Sequence, residues 1–409
     1  MGGTDKSGMQ ERDVSQPVVS RRIQATDDPC IVQMQEMLRG SSDVMSLAQG
    51  IVHWQPPASA LEKAKELVFE ARTSGYGADD GLPELREALR EKLRKENGLH
   101  NSEVMVTAGA NQAFVNVVLA LCDPSDTVAL FVPYYFNHLM AFQMTGITDI
   151  LLGHSDPETL YPDLGWLENA LSGKERPKPK LVVVTTPNNP TGVVIPGDTL
   201  RAISEMCRRA GCWLVLDNTY EYFVYGDHKH VSIEGDHIVN IYSFSKAYGM
   251  MGWRVGYIAY PLGVEGLGKQ LLKAQDTIPV CPPIISQQLA LASLQNGGPS
   301  WVSEKIHSLG NNVNTALSAL EPLGPGAVKA GGGAIYLFCK LPDSVDQNDK
   351  EVVRWLAYKH GVCIIPGSAC GAPGYVRVAF ANLREEQCRI AAGRLQKGLE
   401  ELVTKGMTS

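Results

Sequence analysis

No stretch of this 409-residue chain approaches the ~20 consecutive apolar residues that a membrane-spanning helix needs, which argues against a bilayer partner. A basic run is missing too. The formal net charge is −7 and the pI lies near 5.8, so a nucleic-acid partner is not expected. Among nine cysteines there is no C-x-x-C pair, and the nine histidines are dispersed, with His228 and His230 the nearest pair. That pattern reads as reduced, mostly buried thiols rather than a disulfide framework, and it suggests no metal site. The first 29 residues lack an apolar core and carry Asp5, Glu11 and Asp13, so no secretory signal is expected and the cytoplasm is the default location. No internal repeat is visible.

What is present is ordinary for a soluble globular enzyme: 44% hydrophobic and 20% charged residues. From Val104 onward, apolar β-rich runs alternate with helical patterns. Strands are predicted at Val104–Thr107, Thr127–Val132, Asp149–Leu152, Leu181–Thr186, Cys212–Asp217, His237–Tyr242 and Arg254–Tyr260, with helices such as Gln112–Leu121 and Thr199–Ala210 between them. Several strands, Leu181-Val182-Val183-Val184 among them, are continuous apolar runs suited to a sheet covered on both faces. The prediction is therefore α/β: a large, doubly wound, mostly parallel sheet domain. Before it, helices are predicted over Val32–Leu38, Ala58–Arg72 and Pro83–Asn97. After it come a long helical stretch around Gly298 to Leu320, strands at Ala334–Cys339, Val362–Ile365 and Tyr375–Phe380, and helices at Lys350–Lys359 and Glu385–Leu402, which make a smaller α+β domain. The expected division is a flexible arm over 1–28, a segment at 29–49 joining the small domain, a large domain over 50–297 and the small domain over 298–409.

The stretch Ser243-Phe244-Ser245-Lys246-Ala247-Tyr248-Gly249-Met250-Met251-Gly252-Trp253-Arg254 lies between two such strands. A lysine held partly deprotonated forms Schiff bases with carbonyls. Ser243 and Ser245 offer hydroxyls, and Arg254 a planar fork for a phosphate. A phosphorylated aldehyde fits that company, and pyridoxal phosphate is the candidate; a solvated loop lysine is the plainer alternative. Asp217 ends the run Trp213-Leu214-Val215-Leu216, where open α/β sheets place ligands. It could hold a pyridine nitrogen protonated or simply cap the next segment. Tyr220, three residues on, could donate to the ring's phenolic oxygen. In Thr185-Thr186-Pro187-Asn188-Asn189-Pro190-Thr191-Gly192 a tight turn could return Asn189 to the same edge. Gly109-Ala110-Asn111 opens a helix, so its backbone N–H groups could meet the phosphate. Tyr135 could stack on a flat ring, whereas Tyr134 and Phe136 read as core. Arg377 sits within the apolar run Tyr375–Phe380, as a fork for a carboxylate or as half of an internal salt bridge.

Taken in order, Gly50, Tyr76, Gly109-Ala110-Asn111, Tyr135, Asn189, Asp217, Tyr220, Lys246, Arg254 and Arg377 resemble the class I/II aminotransferases of the aspartate aminotransferase fold, the pyridoxal-phosphate-dependent transferase fold type I. The resemblance spans roughly Ser46 to Leu402. It implies Lys246 as the Schiff-base lysine and proton shuttle, Asp217 on the pyridine nitrogen, Asn189 and Tyr220 on the phenolic oxygen, and Tyr135 stacked on the ring. It also implies Ser243, Arg254 and the backbone at Ala110-Asn111 around the phosphate, with Gly109 and Ser245 among the cofactor-binding residues, and Arg377, Gly50 and Asn189 toward the substrate. Tyr76 in such proteins reaches the partner subunit's phosphate, so a homodimer is implied.

No second arginine of the kind used for a distal carboxylate is evident, which points away from aspartate. The string Gly50-Ile51-Val52-His53-Trp54-Gln55-Pro56-Pro57 resembles plant aromatic aminotransferases that pair methionine or phenylalanine with aromatic 2-oxo acids, making Trp54 and His53 pocket candidates. A lyase or cyclase on the same scaffold, of the aminocyclopropane-carboxylate synthase kind, would share nearly all these residues. A non-catalytic cofactor-binding regulator usually carries an added DNA-binding domain, for which residues 1–28 are too short.

Overall fold

The computed structural model of the protein describes residues 18–40, 43–329, 331–345 and 347–408. After the short strand β1 (Met45–Ser46), seven strands follow in chain order: β2 (Ser102–Thr107), β3 (Val128–Phe131), β4 (Ile150–Gly153), β5 (Leu181–Thr185), β6 (Trp213–Asp217), β7 (Ile238–Ser243) and β8 (Gly256–Pro261). These seven form one sheet in the order β2-β8-β7-β6-β5-β3-β4. β8 runs antiparallel to both its neighbours, and the other pairs are parallel.

The apolar runs have a direct cause. Val183 and Val215 point into one cluster with Phe114, Val117 and Phe142, while Val182, Val184, Leu214 and Leu216 point into another with Leu200, Ile203 and Cys207. Successive residues of a strand face opposite sides, so a sheet with helices on both faces needs apolar residues at every position. The helices Ala110–Leu121 and Gly197–Ala210 cover those two faces. The predicted fold class holds.

A second sheet is built from β9 (Val328–Lys329), β10 (Tyr336–Lys340), β12 (Ile365–Pro366) and β13 (Tyr375–Ala379), antiparallel in the order β12-β13-β10-β9. Between them in the chain, β11 (Val362–Cys363) pairs in parallel with β1. The single strand predicted over Val362–Ile365 is therefore two, which bend apart at Ile364 to serve different sheets.

Three predicted helices also end early. The helix from Ala58 stops at Leu67, because the Thr73 hydroxyl takes the Leu67 carbonyl at 2.7 Å and a separate turn follows at Ala71–Ser74. The helix from Pro83 stays α-helical only to Lys92, and a wider π turn over Leu93–Asn97 finishes it. The stretch from Gly298 to Leu320 is two helices, Gly298–His307 and Gly310–Leu320, the second pinned where Asn312 donates to the Phe380 and Leu383 carbonyls. Of the arm expected over residues 1–28, positions 1–17 lie outside the described residues. Arg21–Gln24 form a helical turn, and the Asp27 N–H donates to Gln143.

Candidate active site

Strand register collects the chemistry on one edge. Thr107 pairs with Gly256, which pairs in turn with Ser243, and Thr185 pairs with Asp217, which pairs with Ile241. The carboxyl ends of β2, β5, β6 and β7 thus align, and because β8 is reversed, its first residues join them. Loops carrying Gly109-Ala110-Asn111, Asn189, Asp217-Tyr220, Ser243-Lys246 and Arg254 meet at that edge, and one cavity is lined by Ala110, Asn111, Tyr135, Asn189, Asp217, Tyr220, Ser243, Ser245, Lys246 and Arg254. His138, Thr185 and Thr219 complete its wall.

The lysine turn is held from below. Ser245 donates its N–H to the Ser243 hydroxyl at 3.1 Å, and Trp54 donates Nε1–H to the Ala247 carbonyl at 3.3 Å. Gly249 has φ +64°, and a Cβ there would overlap the Trp54 carbonyl, so only glycine passes. Lys246 reaches the cavity half-buried. Burial first, then the Arg254 and Arg377 charges, push its ammonium down from 10.5 to about 8 against the opposing pull of Asp217. It is a lysine poised to lose its proton.

Arg254 adopts φ +52° and donates Nη1–H to the Met251 carbonyl at 2.8 Å. Its guanidinium lies so close to Gly109 (φ +90°) that a Cβ on that residue would overlap it. Together with the N-terminus of the helix Ala110–Leu121, this forms an anion cradle.

Asp217 is buried, with Oδ2 at 3.1 Å from His138 Nε2 and Oδ1 accepting from both the Thr219 N–H (3.0 Å) and its hydroxyl (2.6 Å). Burial would raise the carboxyl, but the His138 and Thr219 contacts outweigh it and hold it below its ordinary range. A carboxylate anchored this firmly stays charged beside a ring nitrogen. The Tyr135 ring stands edge-on to His138 at 5.2 Å; its hydroxyl accepts from Asn137 (2.9 Å) and donates to Asn111 (3.4 Å).

Arg377 is 1% exposed, yet among the described residues no carboxylate pairs with it. Nη1–H donates to Asn189 Oδ1 at 2.8 Å, Nη2–H to the Ala48 carbonyl at 2.7 Å, the guanidinium covers the Tyr336 ring at 4.3 Å, and Nε has no partner. A buried arginine left without an anion is set up to receive one. Since arginine only donates, its bond fixes the Asn189 amide and leaves Nδ2–H free to donate toward the cavity. Lys246, Arg254 and Arg377 together face one carboxylate, Asp217. That excess of positive charge suits a ligand with a phosphate and a second molecule with a carboxylate, which fits pyridoxal phosphate and an amino acid.

Four expected residues lie elsewhere. Gly50 does not line the cavity; a Cβ at Gly50 would overlap the Tyr336 hydroxyl, so its smallness serves that tyrosine. Trp54 is buried against Phe223, ring centroids 6.3 Å apart and nearly parallel, behind the lysine turn, and with His53 it lines a separate cavity beside Asn312 and Arg384 rather than the one around Lys246. His53 holds the Ala381 carbonyl at 3.2 Å beside it. Tyr76 is 87% exposed and outside the cavity within one chain. Conversely, His138, Thr219 and Tyr336 escaped sequence reasoning. A signal existed for His138, which follows Tyr135 by three residues on a helix leaving a strand, one turn away on the same face. His228 and His230 do not act as a pair. His230 donates to Asn218 Oδ1 at 2.9 Å, and burial pushes it down to about 4, while the His228 ring packs against Gly332.

The family model for aminotransferase class I and II matches residues 42–395. The aromatic aminotransferase ISS1 of Arabidopsis thaliana is 55% identical over 390 residues, covering 95% of this chain and 98% of the relative. A probable aspartate/prephenate aminotransferase of Aquifex aeolicus is 32% identical over 373 residues, covering 88% and 92%. Among solved structures, the aspartate aminotransferase of Thermus thermophilus with maleate superposes with a TM-score of 0.83 at 28% identity, covering 94% of this chain and 100% of that one.

Proposed function

Because the chain belongs to the class I and II aminotransferases, enzymes that depend on pyridoxal phosphate, we propose that it moves an amino group between an apolar or aromatic L-amino acid and a 2-oxo acid. Phenylalanine, tyrosine, tryptophan and methionine are the donors in this reading, and phenylpyruvate, 4-hydroxyphenylpyruvate and indole-3-pyruvate the acceptors. The observation that carries it is Arg377, a buried fork without a carboxylate that holds Asn189 of the cavity wall, while the arginine lining the cavity, Arg254, lies in the anion cradle. One α-carboxylate is shared by every amino and oxo acid, so one arginine serves both half-reactions. Among the described residues lining that cavity the cations are Lys246 and Arg254, both already assigned, so a second, distal carboxylate would find none to spare, whereas an apolar group would lose nothing. The 55% identity to an enzyme named for aromatic substrates points the same way.

When bound, pyridoxal phosphate supplies an aldehyde that takes the amino group and a ring that withdraws electrons from the substrate's α-carbon. The residues then divide the work. Arg254, Ser243, Ser245 and the N–H groups at Ala110-Asn111, with Gly109 giving room, hold the phosphate. Asp217, tethered by His138 and Thr219, would keep a negative charge against the ring nitrogen, and Tyr135 would stack on the ring. Asn189 Nδ2 and the Tyr220 hydroxyl would donate to its phenolic oxygen. Arg377 fixes the substrate carboxylate and thereby the direction of the α-hydrogen. Lys246, with its lowered proton affinity, accepts that hydrogen as a proton and holds it for return.

A homodimer in the cytoplasm completes the reading. The near-complete exposure of Tyr76 supports its reaching a partner's site, and all nine cysteines are free thiols. A lyase or cyclase would use the same cavity but release a ring or ammonia instead of a new amino acid. The test is kcat/KM for phenylalanine, methionine and aspartate with phenylpyruvate and 2-oxoglutarate as acceptors. Burying an unpaired distal carboxylate costs several kcal/mol, so phenylalanine should exceed aspartate by about a hundredfold or more. Arg377→Lys keeps the charge but loses the fork and should weaken all donors alike. A wild-type preference for aspartate would overturn the substrate assignment.

A further inference from the structure

Tyr336 lies outside the cavity wall, yet it touches both ends of the site. Its hydroxyl is 2.6 Å from the Tyr220 hydroxyl, and its ring lies 4.3 Å beneath the Arg377 guanidinium. Both tyrosines are almost fully buried, 2% and 3% exposed. Between the two bare hydroxyls the bond can run either way, but once Tyr220 donates into the cavity the Tyr336 proton must go to the Tyr220 oxygen. The Tyr336 oxygen is pressed against Gly50, where a side chain would collide with it, and among the described residues its proton has one acceptor, the Tyr220 oxygen. Tyr220 borders the cavity, where its own proton can point inward. Burial holds both phenols in the protonated, donating form. A hydroxyl that already accepts a hydrogen bond donates a stronger one.

We propose that Tyr336 is a positioning residue that couples the two halves of the site, its hydroxyl aiming and strengthening Tyr220 as a donor to the cofactor's phenolic oxygen while its ring supports Arg377 for the substrate carboxylate. The inference rests on the assignment of Tyr220 to that oxygen. It also explains two facts otherwise unconnected. Gly50 is needed because the hydroxyl must come within reach of Tyr220, and Arg377 keeps its plane without a carboxylate partner because an aromatic face lies under it and Asn189 and Ala48 hold its edge.

The two functions separate in a titration of the holoenzyme. The absorbance of the Lys246-linked cofactor changes as that linkage takes up a proton, and a donor on the phenolic oxygen favours the unprotonated form, in which the oxygen carries its charge unshared. Tyr336→Phe removes the hydroxyl and keeps the ring. The midpoint should rise by about 0.3 to 1 pH unit, the reach of one indirect hydrogen bond. The Kd of 3-phenylpropionate, an unreactive carboxylate, should change less than about twofold. Tyr336→Leu should raise the midpoint and also weaken that carboxylate about fivefold or more, as the aromatic face is lost. In a Tyr220→Phe background, Tyr336→Phe should add nothing to the midpoint. Gly50→Ala, which displaces the hydroxyl without altering either tyrosine, should reproduce the Tyr336→Phe shift. An unmoved midpoint in Tyr336→Phe while Tyr220→Phe moves it, or an equal further shift in the Tyr220→Phe background, overturns the coupling alone. An unmoved midpoint in Tyr220→Phe overturns the Tyr220 assignment and the coupling with it.

Discussion

Lys246 offers the sharpest quantitative test, because its buried ammonium is a liability in the cofactor-free protein. The fall from 10.5 to about 8 corresponds to roughly 3 kcal/mol of preference for the neutral amine. Below about pH 8 both folded and unfolded chains hold the proton, and the folded state carries the full cost of an ammonium beside Arg254 and Arg377. Between about pH 8 and 10.5 the folded protein has released its proton while the unfolded chain keeps it, so stability rises with pH. Above 10.5 the penalty is gone. Lys246→Met keeps the length of the side chain and removes the charge. Because Lys246 keeps some contact with the water in its cavity, the gain should fall short of the full figure: about 1–2 kcal/mol at pH 7. The assay is guanidinium unfolding of both cofactor-free proteins from pH 6.5 to 10.5 at one fixed protomer concentration. A methionine packs better than a lysine at any pH, so the diagnostic quantity is the part of the gain that fades as pH rises. A gain that stays constant to pH 10.5, or a variant less stable than wild type at pH 7, would refute the account of why this lysine is reactive.

Asp217→Asn keeps the size of the side chain and its bond to Thr219 but loses the charge beside the ring nitrogen. The cofactor should remain bound while single-turnover α-proton removal slows by about a hundredfold or more; an unchanged rate would return Asp217 to the role of a turn-forming residue. Away from the site, Lys92 is clamped between both oxygens of Glu221 at 2.5 and 2.6 Å, and both side chains are nearly buried. Lys92→Met should destabilise the protein by about 3–5 kcal/mol by stranding the Glu221 carboxylate, and adding Glu221→Gln should recover much of it. Thermal unfolding of the two variants beside wild type checks this, and equal losses in the single and double variants would deny that the stranded charge is the cause.

Much of the site was legible because it sits where continuous apolar strands end. Asp217, Asn189, Ser243 and Lys246 are polar residues placed immediately after buried runs, a position where hydrophobic pattern and chemistry coincide. Arg377 was legible for the opposite reason, as a charge inside such a run. His138 and Tyr336 were not, since a histidine in an apolar helix and a tyrosine in a buried strand carry no local mark of what they touch. Their partners, Asp217 and Tyr220, lie 79 and 116 positions away. Trp54, four residues after a glycine expected at the substrate, reads as lining of the cofactor cavity, while its indole supports the lysine turn from behind and lines a neighbouring cavity. The helix ends were lost to side-chain bonds such as Thr73 to the Leu67 carbonyl, which periodicity does not register.

Arg377 and Lys246 differ in how far the chain must travel to build them. Lys246 and Arg254 lie on a single short connection between adjacent strands, so the amine and the anion cradle come largely from one neighbourhood. Arg377 takes its orientation from Asn189, 188 positions away, and from the Ala48 carbonyl, 329 positions away. Recognition of the carboxylate therefore reports on the docking of three remote segments, whereas capture of the aldehyde does not. Damage spread anywhere along the contacts of the Arg377 strand with the Asn189 loop and the Ala48 segment would carry one signature: an enzyme that still takes up its cofactor and turns yellow, but no longer distinguishes an amino acid from an amine.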